Sequence, residues 1–553
     1  MSLEKCVKLS GPILTFGIGK GTGQITFNTV NDTSACDLSP SHQYLQGVRA
    51  MSLLGIDIGT SGCKATVIDE EGNCLGQASR EYSLISTLPG WQELDPEEVW
   101  TSVREVVRRA VASHHGDPVR AIGVSSFGEA MTAIDRHGHA LSNSMIYIDA
   151  RGKEEAAFLE NRLGNSKILG ITGTTALPMY SIAKIMWLKQ HRPDQHRNTW
   201  KYLPFSAFIL YKLGAAAHSD YSLAARTMAF DIIRKQWSSE ILDAAGVEPD
   251  KFGEPVLAGT PVGNLSDALA DELGLPRNCL LVAGGHDQPC AALGAGVIHP
   301  GLAVDGLGTT ECITPAFDRP ILTEAMAGNH FACVPHVVKD MYVTYAFTFT
   351  SGSMLKWYGD QFGQAWLEQA KRTGMNPYEH MIGKATKKPS PVFVLPHFAG
   401  AATPYMDTRA QGAIIGLNIN TTSEDIFKAV LEGITYEMMV NVERLAEAGV
   451  IVDELMAVGG LAKSDAFLQL KADMMGRKVS TLNISEAGTM GVAMLAGTAA
   501  GIYGTLGEAV ARLVKKKREF YPDPILHAQY QERFATYRKI YPAVKGIYGR
   551  KQA

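Results

Sequence analysis

No two cysteines in this chain stand in a Cys-x-x-Cys pair, and only 8 of the 553 residues are cysteine. A disulfide framework and a cysteine zinc site are both disfavoured on that ground. The chain also lacks an excess of one charge: 52 basic residues stand against 56 acidic ones, for a net charge of −4. It therefore carries no electrostatic footprint for nucleic acid or an anionic membrane. The opening MSLEKCVKLSGPILTFGIGK has one short apolar stretch and no small-residue cleavage pattern. One long charge-free run is present, Gly488 to Gly507. Its six glycines and few large aliphatic residues suit a buried helix and a glycine turn better than a membrane span. The expected compartment is the cytoplasm. Hydrophobic residues at 46% and charged residues at 20% are the balance of a folded globular protein. The length allows three to four ordinary domains or two large ones.

What is present begins with glycine, at 55 residues. Residues Met1 to Ala50 are rich in Gly, Ser, Thr and Asn without sustained periodicity, and GKGTG at Gly19 to Gly23 misses the Walker A spacing because Gly21 follows Lys20. At Met51 the text restarts as MSLLGIDIGT, so residues 1–50 are expected to lie outside the fold. From there LLGIDI, CKATVID and NCLGQASREYSL read as strands. DPEEVWTSVREVVRRAVASH has helical spacing with Asp95 as N-cap and Pro96 first in the helix. VRAIGVSS is a further buried strand, giving α/β order. The second half repeats the opening: GLAVDGLGTTECITPAF is again an apolar strand, an Asp, a Gly-Thr turn and a strand. VDELMAVGGLAKSDAFLQLKADMMG then reads strand, glycine turn, helix. A duplicated fold with a cleft between its halves would explain the repeat, although Asp-x-Gly-Thr is short enough to recur by chance.

Three turns and two aspartates carry chemistry. In GIDIGTSGCK, Gly59 and Gly62 permit a tight turn, Thr60 and Ser61 add hydroxyls, and Lys64 adds a positive charge; such a turn can hold phosphate oxygens. Asp57 at the strand end could hold water on Mg²⁺. A plain hairpin would use the same glycines for geometry alone. In VAGGHDQPCAALGAG, Asp287 leads into a small-residue helix, where its carboxylate could accept a hydroxyl proton or could simply cap the helix. His286 reads as structural rather than as a metal ligand. The Gly308, Thr309, Thr310 turn and the Gly459-Gly460 pair complete the set, with Ser464 as a cap for the helix after the pair.

Together these residues resemble the FGGY family of carbohydrate kinases, from Leu53 to about Tyr541. Met179 to His191, MYSIAKIMWLKQH, is similar to the family's first signature, and Gly412 to Glu432, GAIIGLNINTTSEDIFKAVLE, to its second. The resemblance implies an α/β fold of two RNase H-like, actin/hexokinase-type domains, spanning residues 51–291 and 292–553, with ATP in the cleft between them. It implies Asp287 as catalytic base and Asp57 as the Mg²⁺-associated aspartate. It implies Gly59, Thr60, Ser61 and Lys64 as the first phosphate loop, and Gly308, Thr309 and Thr310 as the second. Gly459, Gly460 and Ser464 fall where adenosine is bound. On the substrate side it implies Glu129, Asp149, Arg151, Asp287 and Gln288. Gly128-Glu129 stands where glycerol kinases carry Arg-Glu and lacks the Arg, Glu129-Ala130 stands where xylulokinases carry Met-His and lacks the His, and Tyr147 replaces a family Trp.

The expected activity is ATP-dependent phosphorylation of a hydroxyl on a small sugar or polyol, a xylulose-like ketose first. Glycerol- or erythritol-type polyols and gluconate are the alternatives. A non-enzymatic ATP-binding regulator is disfavoured by the presence of Asp287, and a glycoside-binding module leaves two phosphate-type turns unexplained. No nucleic-acid or membrane partner is expected, and oligomeric state stays open, a homodimer among the options. Lys515 to Arg518, KKKR, reads as the solvated end of a surface helix. Tyr530, Phe534, Tyr537 and Tyr541 read as one face of a packed terminal helix.

Overall fold

A computed structural model describes residues 51–114, 116–385, 388–483 and 486–548. The leading residues 1–50, with their GKGTG run, lie outside the described residues. SLLGIDI forms β1 (Ser52–Ile58), the turn at Gly59 returns the chain as β2 (Gly62–Asp69), and β3 (Cys74–Glu81) follows. Helix α1 (Pro96–Ala112) begins as its sequence directs: the Asp95 carboxylate accepts the Glu97 N–H, and Pro96 sits where a missing N–H costs nothing. Val99, Val103, Val106 and Ala110 recur at helical spacing and are buried in the first core with Val67 of β2 and Ala78 of β3. β4 (Val119–Ser126), β5 (Pro261–Asn264) and β6 (Leu280–His286) complete the sheet, and helix α2 (Asp287–Gly294) leaves β6 directly.

The strands lie in the order β5-β6-β4-β1-β2-β3. β1, β2 and β3 are antiparallel neighbours, β4 pairs β1 in parallel, β6 pairs β4 in parallel, and β5 closes the edge antiparallel. The second half rebuilds this pattern. Its strands are β7 (Gly301–Leu307), β8 (Glu311–Phe317), β9 (Val334–Pro335), β10 (Tyr342–Val343), β11 (Ala346–Thr348) and β12 (Val452–Gly459). After helix α3 (Asp465–Met475) comes β13 (Lys478–Leu482), and after helix α4 (Ala487–Ala499) comes β14 (Lys516–Phe520). β8 pairs β7 antiparallel, β12 and β13 extend it in parallel, and β14 closes the edge antiparallel. Two sheets of one topology are the duplication expected from the repeated motif, and they are mixed α/β layers of the RNase H-like kind.

The repeat is out of step at its aspartates. Ile58 ends β1 before Gly59-Thr60, and Leu307 ends β7 before Gly308-Thr309. Asp57 therefore corresponds to Gly306, and Asp305 corresponds to Ile56. One residue of offset turns the two carboxylates to opposite faces of their sheets.

Helix α4, from the second half of the sequence, packs on the first sheet. Its backbone comes so close that a Cβ on Gly55 would lie 2.1 Å from Thr489 O, and one on Gly123 would lie 2.5 Å from Val492 O. Only glycine fits at these points, and the charge-free run from Gly488 is a buried helix as its composition suggests. The basic run departs from expectation. The helix before it ends at Leu513, and Lys516 to Arg518 belong to edge strand β14, where Lys516 pairs with Glu454 at 2.7 Å. Lysines on an edge strand discourage pairing with another chain. Tyr530, Phe534, Tyr537 and Tyr541 are buried in the second core.

Candidate active site

The first turn is compact. Gly59 N donates to Gly62 O at 2.9 Å, and the Tyr82 hydroxyl donates to Gly59 O at 2.6 Å, pinning the hairpin beneath Thr60 and Ser61. Asp57 lies one residue before the strand end, and Ser125 Oγ on β4 donates to its Oδ1 at 2.5 Å. Burial pushes the Asp57 carboxyl above its ordinary range; Ser125 and Lys64 pull it back. The start of α4 abuts this carboxylate: a Cβ on Gly488 would lie 3.2 Å from Asp57 Cγ. Lys64 stands opposite Asp57 in the ladder, but its ammonium is engaged by Glu486 at 2.6 Å.

Asp287 is the first residue of α2, and the N-cap position belongs to His286, whose side chain makes no cap bond. Asp287 Oδ1 accepts the Gln288 N–H at 2.6 Å. Burial first, then the charges of Asp57 and Glu129, push its carboxyl up to about 8; Arg226 opposes them. Asp287 feels the charges of both Asp57 and Glu129, so carboxylates from β1, the start of α2 and the loop after β4 come together in one region. His286 is buried, its Nδ1 is 3.0 Å from the Tyr345 hydroxyl, and burial with Arg226 nearby holds its pKa well below the ordinary value. Burial thus favours the neutral imidazole, whose Nε2 lies 3.2 Å from Asp287 Oδ1.

The substrate-side residues separate into two groups. Glu129 adopts a left-handed φ of 60°, rare for a residue with a side chain, and forms a buried ion pair with Arg226, whose Nε donates at 2.5 Å. Arg226 lies over the rings of Tyr180 at 5.2 Å and Tyr345 at 5.3 Å. Its Nη1 has no hydrogen-bond partner among the described residues. Gly128 makes room for it: a Cβ there would lie 3.0 Å from both Arg226 Cγ and His286 Nε2. Tyr147 feels the charges of Glu129 and Asp287, and Gln288 is half-buried beside the latter. Asp149 and Arg151 instead bind each other at 2.8 and 2.6 Å, Asp149 accepts the Gln92 N–H at 2.7 Å, and Arg151 reaches Glu93 at 2.6 Å. The guanidinium also lies 3.9 Å from the Trp91 ring centre. Arg226 escaped sequence reasoning because one arginine in ARTMAFD belongs to no spacing pattern.

The second turn closes with Gly308 N donating to Thr310 O at 3.0 Å, and Ser351 N and Gly352 N bind Thr309 O and Gly308 O from beside it. A cavity of about 540 Å³ lies here. Leu307, Gly308, Thr309, Gly460, Leu461 and Ser464 line it together with Ser353, Lys356 and Tyr378, and Ser353 Oγ donates to Thr309 O at 3.0 Å. Thr310 is exposed on the turn, and Gly459 lies beneath it at a φ of 98°, too near Leu307 O for a Cβ. Ser464 caps α3, accepting the Phe467 N–H. Two loops about 150 residues apart in sequence thus meet around one pocket of nucleotide size.

Among the described residues, no three His, Cys, Asp or Glu side chains gather closely enough to enclose a metal ion. Asp57 and Asp287, both raised by burial and with the Asp57 charge felt at Asp287, suit a divalent cation that shares its ligands with phosphate and water.

The family model described as "FGGY family of carbohydrate kinases, N-terminal domain" matches residues 52–294, and the corresponding C-terminal domain model matches residues 306–500. Xylulose kinase of Bacillus subtilis is 26% identical over 500 residues, which cover 90% of this chain and 97% of that protein. Autoinducer-2 kinase of Klebsiella pneumoniae is 27% identical over 511 residues, covering 90% and 94%. Among solved structures, ligand-bound xylulose kinase from Lactobacillus acidophilus superposes with a TM-score of 0.82 at 23% identity, covering 90% of this chain and 99% of that one.

Proposed function

The chain belongs to the FGGY family of carbohydrate kinases and is a sugar kinase that uses ATP. From that premise we propose that it phosphorylates a hydroxyl of a small open-chain ketose, xylulose-like in the first instance, with Asp287 as base. The convergence of Asp287, Asp57 and Glu129 carries the reading, because it joins a proton acceptor, a cation site and a hydroxyl reader. Xylulose kinases among the relatives support the ketose.

In this reading the nucleotide occupies the 540 Å³ cavity, with adenosine at Gly459, Gly460 and Ser464. Its phosphates lie along Gly308–Thr310 and the Gly59–Ser61 turn, with Lys64 released from Glu486 as needed. Mg²⁺, held through Asp57, would neutralise developing phosphate charge. Phosphoryl transfer is mainly positioning and charge neutralisation, so Asp287 has two tasks: to orient the substrate hydroxyl and to take its proton. Glu129, aimed by Arg226, accepts from another hydroxyl.

A glycerol- or erythritol-type polyol is the second reading, favoured by a buried Glu129–Arg226 pair in a site that lacks the xylulokinase His. Steady-state ADP release over D-xylulose, other ketopentoses, glycerol, erythritol and gluconate separates the two. A ketose with the highest kcat/KM supports the first reading; a polyol preferred by tenfold or more, about 1.4 kcal/mol, replaces it with the second.

A further inference from the structure

Three charged groups buried behind the second turn have no part in the reaction as described. Lys471, on α3, is wholly buried, and its ammonium lies 2.8 Å from Asp305 Oδ2 on β7 and donates to Glu311 Oε1 at the start of β8. The other Glu311 oxygen accepts from Ser351 Oγ at 3.2 Å. Ser351 N in turn donates to Thr309 O at 2.9 Å, and Gly352 N donates to Gly308 O at 3.0 Å. The network therefore runs from the helix capped by Ser464 to the turn that lines the same cavity.

The duplicated fold supplies an internal control. In the first sheet Ile56 stands where Asp305 does, and Cys63, opposite Ile58, stands where Glu311, opposite Leu307, does. Both are buried and apolar. The fold closes without charge at these positions, and a buried ionic cluster is no more stable than well-packed apolar groups of similar volume. The charges appear only in the half that lines the cavity.

We propose that Lys471 is a positioning residue for the nucleotide pocket, holding the Gly308–Thr310 turn in register with the Gly460–Ser464 loop through Asp305, Glu311 and Ser351. This rests on reading the cavity as the nucleotide site. Lys471→Met alone would leave two buried carboxylates facing each other, so the test is the variant Asp305→Ile, Glu311→Cys, Lys471→Met. It copies the first half at the two strand positions and leaves no charge unpaired. Calorimetric titration with ADP, and KM for ATP and for sugar, are compared with wild type beside thermal melting. ADP affinity is expected to fall, and KM for ATP to rise, by ~10-fold, with KM for sugar within ~2-fold, as for a displaced turn. Glu311→Gln keeps the shape and a weaker link, and should lose ~3-fold in ADP affinity even if the triple variant does not fold. A folded variant that binds ADP like wild type overturns the inference while leaving the kinase reading intact. Wild-type protein that binds no ADP at all would overturn the nucleotide reading of the cavity, and this inference with it.

Discussion

Asp287→Asn should uncouple stability from catalysis in opposite directions. The native carboxyl titrates at about 8 against an ordinary 3.8, so the folded protein holds its proton more tightly than the unfolded chain throughout that window. Stability contributed by this group is complete below about pH 4 and is lost as pH rises towards 8. At 1.36 kcal/mol per pH unit the upper bound is about 6 kcal/mol, and since 30% of the side chain reaches solvent, screening leaves roughly 1–3 kcal/mol. Asparagine has no charge to bury and can still accept the Gln288 N–H. At pH 8 the variant should melt about 2–5 °C higher than wild type, and at pH 4 the difference should vanish. Turnover should fall ~10²–10⁴-fold, because an amide cannot accept the hydroxyl proton. Wild-type kcat should also climb with pH towards about 8 as the base ionises. Differential scanning fluorimetry across pH, with a coupled ADP assay on the same samples, reads both effects. A well-folded Asn variant turning over at the wild-type rate would remove Asp287 from the chemistry. A variant no more stable at pH 8 would show that the carboxylate is not in the acidic convergence described.

Asp57→Ala should cost several kcal/mol of transition-state stabilisation and flatten the Mg²⁺ dependence while sugar binding survives; unchanged turnover and Mg²⁺ titration would refute the assignment. Glu129→Gln should raise KM for sugar ~10–100-fold and leave KM for ATP nearly unchanged, the value of ~1.5–3 kcal/mol for a hydrogen bond to a charged group. An equal loss for ATP would make Glu129 a framework residue. Glu129→Ala should in addition destabilise the fold by about 3–5 kcal/mol, because Arg226 would be left buried and unpaired, and a melting temperature within a degree of wild type would contradict that ion pair. A chain beginning at Met51 should fold and keep full activity, since the family match starts at residue 52; an insoluble or inactive product would place the leading segment within the fold.

Much of this architecture is legible because local signals agree with the fold. Asp95-Pro96 starts α1, Ser464 caps α3, and the glycines of the charge-free run are those that α4 and the first sheet need to touch. The pocket's composition was readable from Gly308, Thr309, Gly460 and Ser464, because turns next to strands keep their sequence signature. What escaped depends on partners distant in sequence. Asp305 looks like a copy of Asp57 until strand register turns it to the other face, towards Lys471. Asp149 and Arg151 look available until Gln92, Glu93 and Trp91 close around them. Arg226 gains meaning only beside Glu129, and Lys516 to Arg518 change from helix end to edge strand because β13 offers them a ladder.

The most direct test is to identify the product. Purified full-length protein is incubated with Mg²⁺, ATP and D-xylulose, and both nucleotides and sugars are resolved by mass spectrometry. The account predicts ADP and a singly phosphorylated ketose in equal amounts, both abolished when the sugar is left out. ADP formed without any phosphorylated sugar, or no turnover with any ketose or polyol, would contradict it.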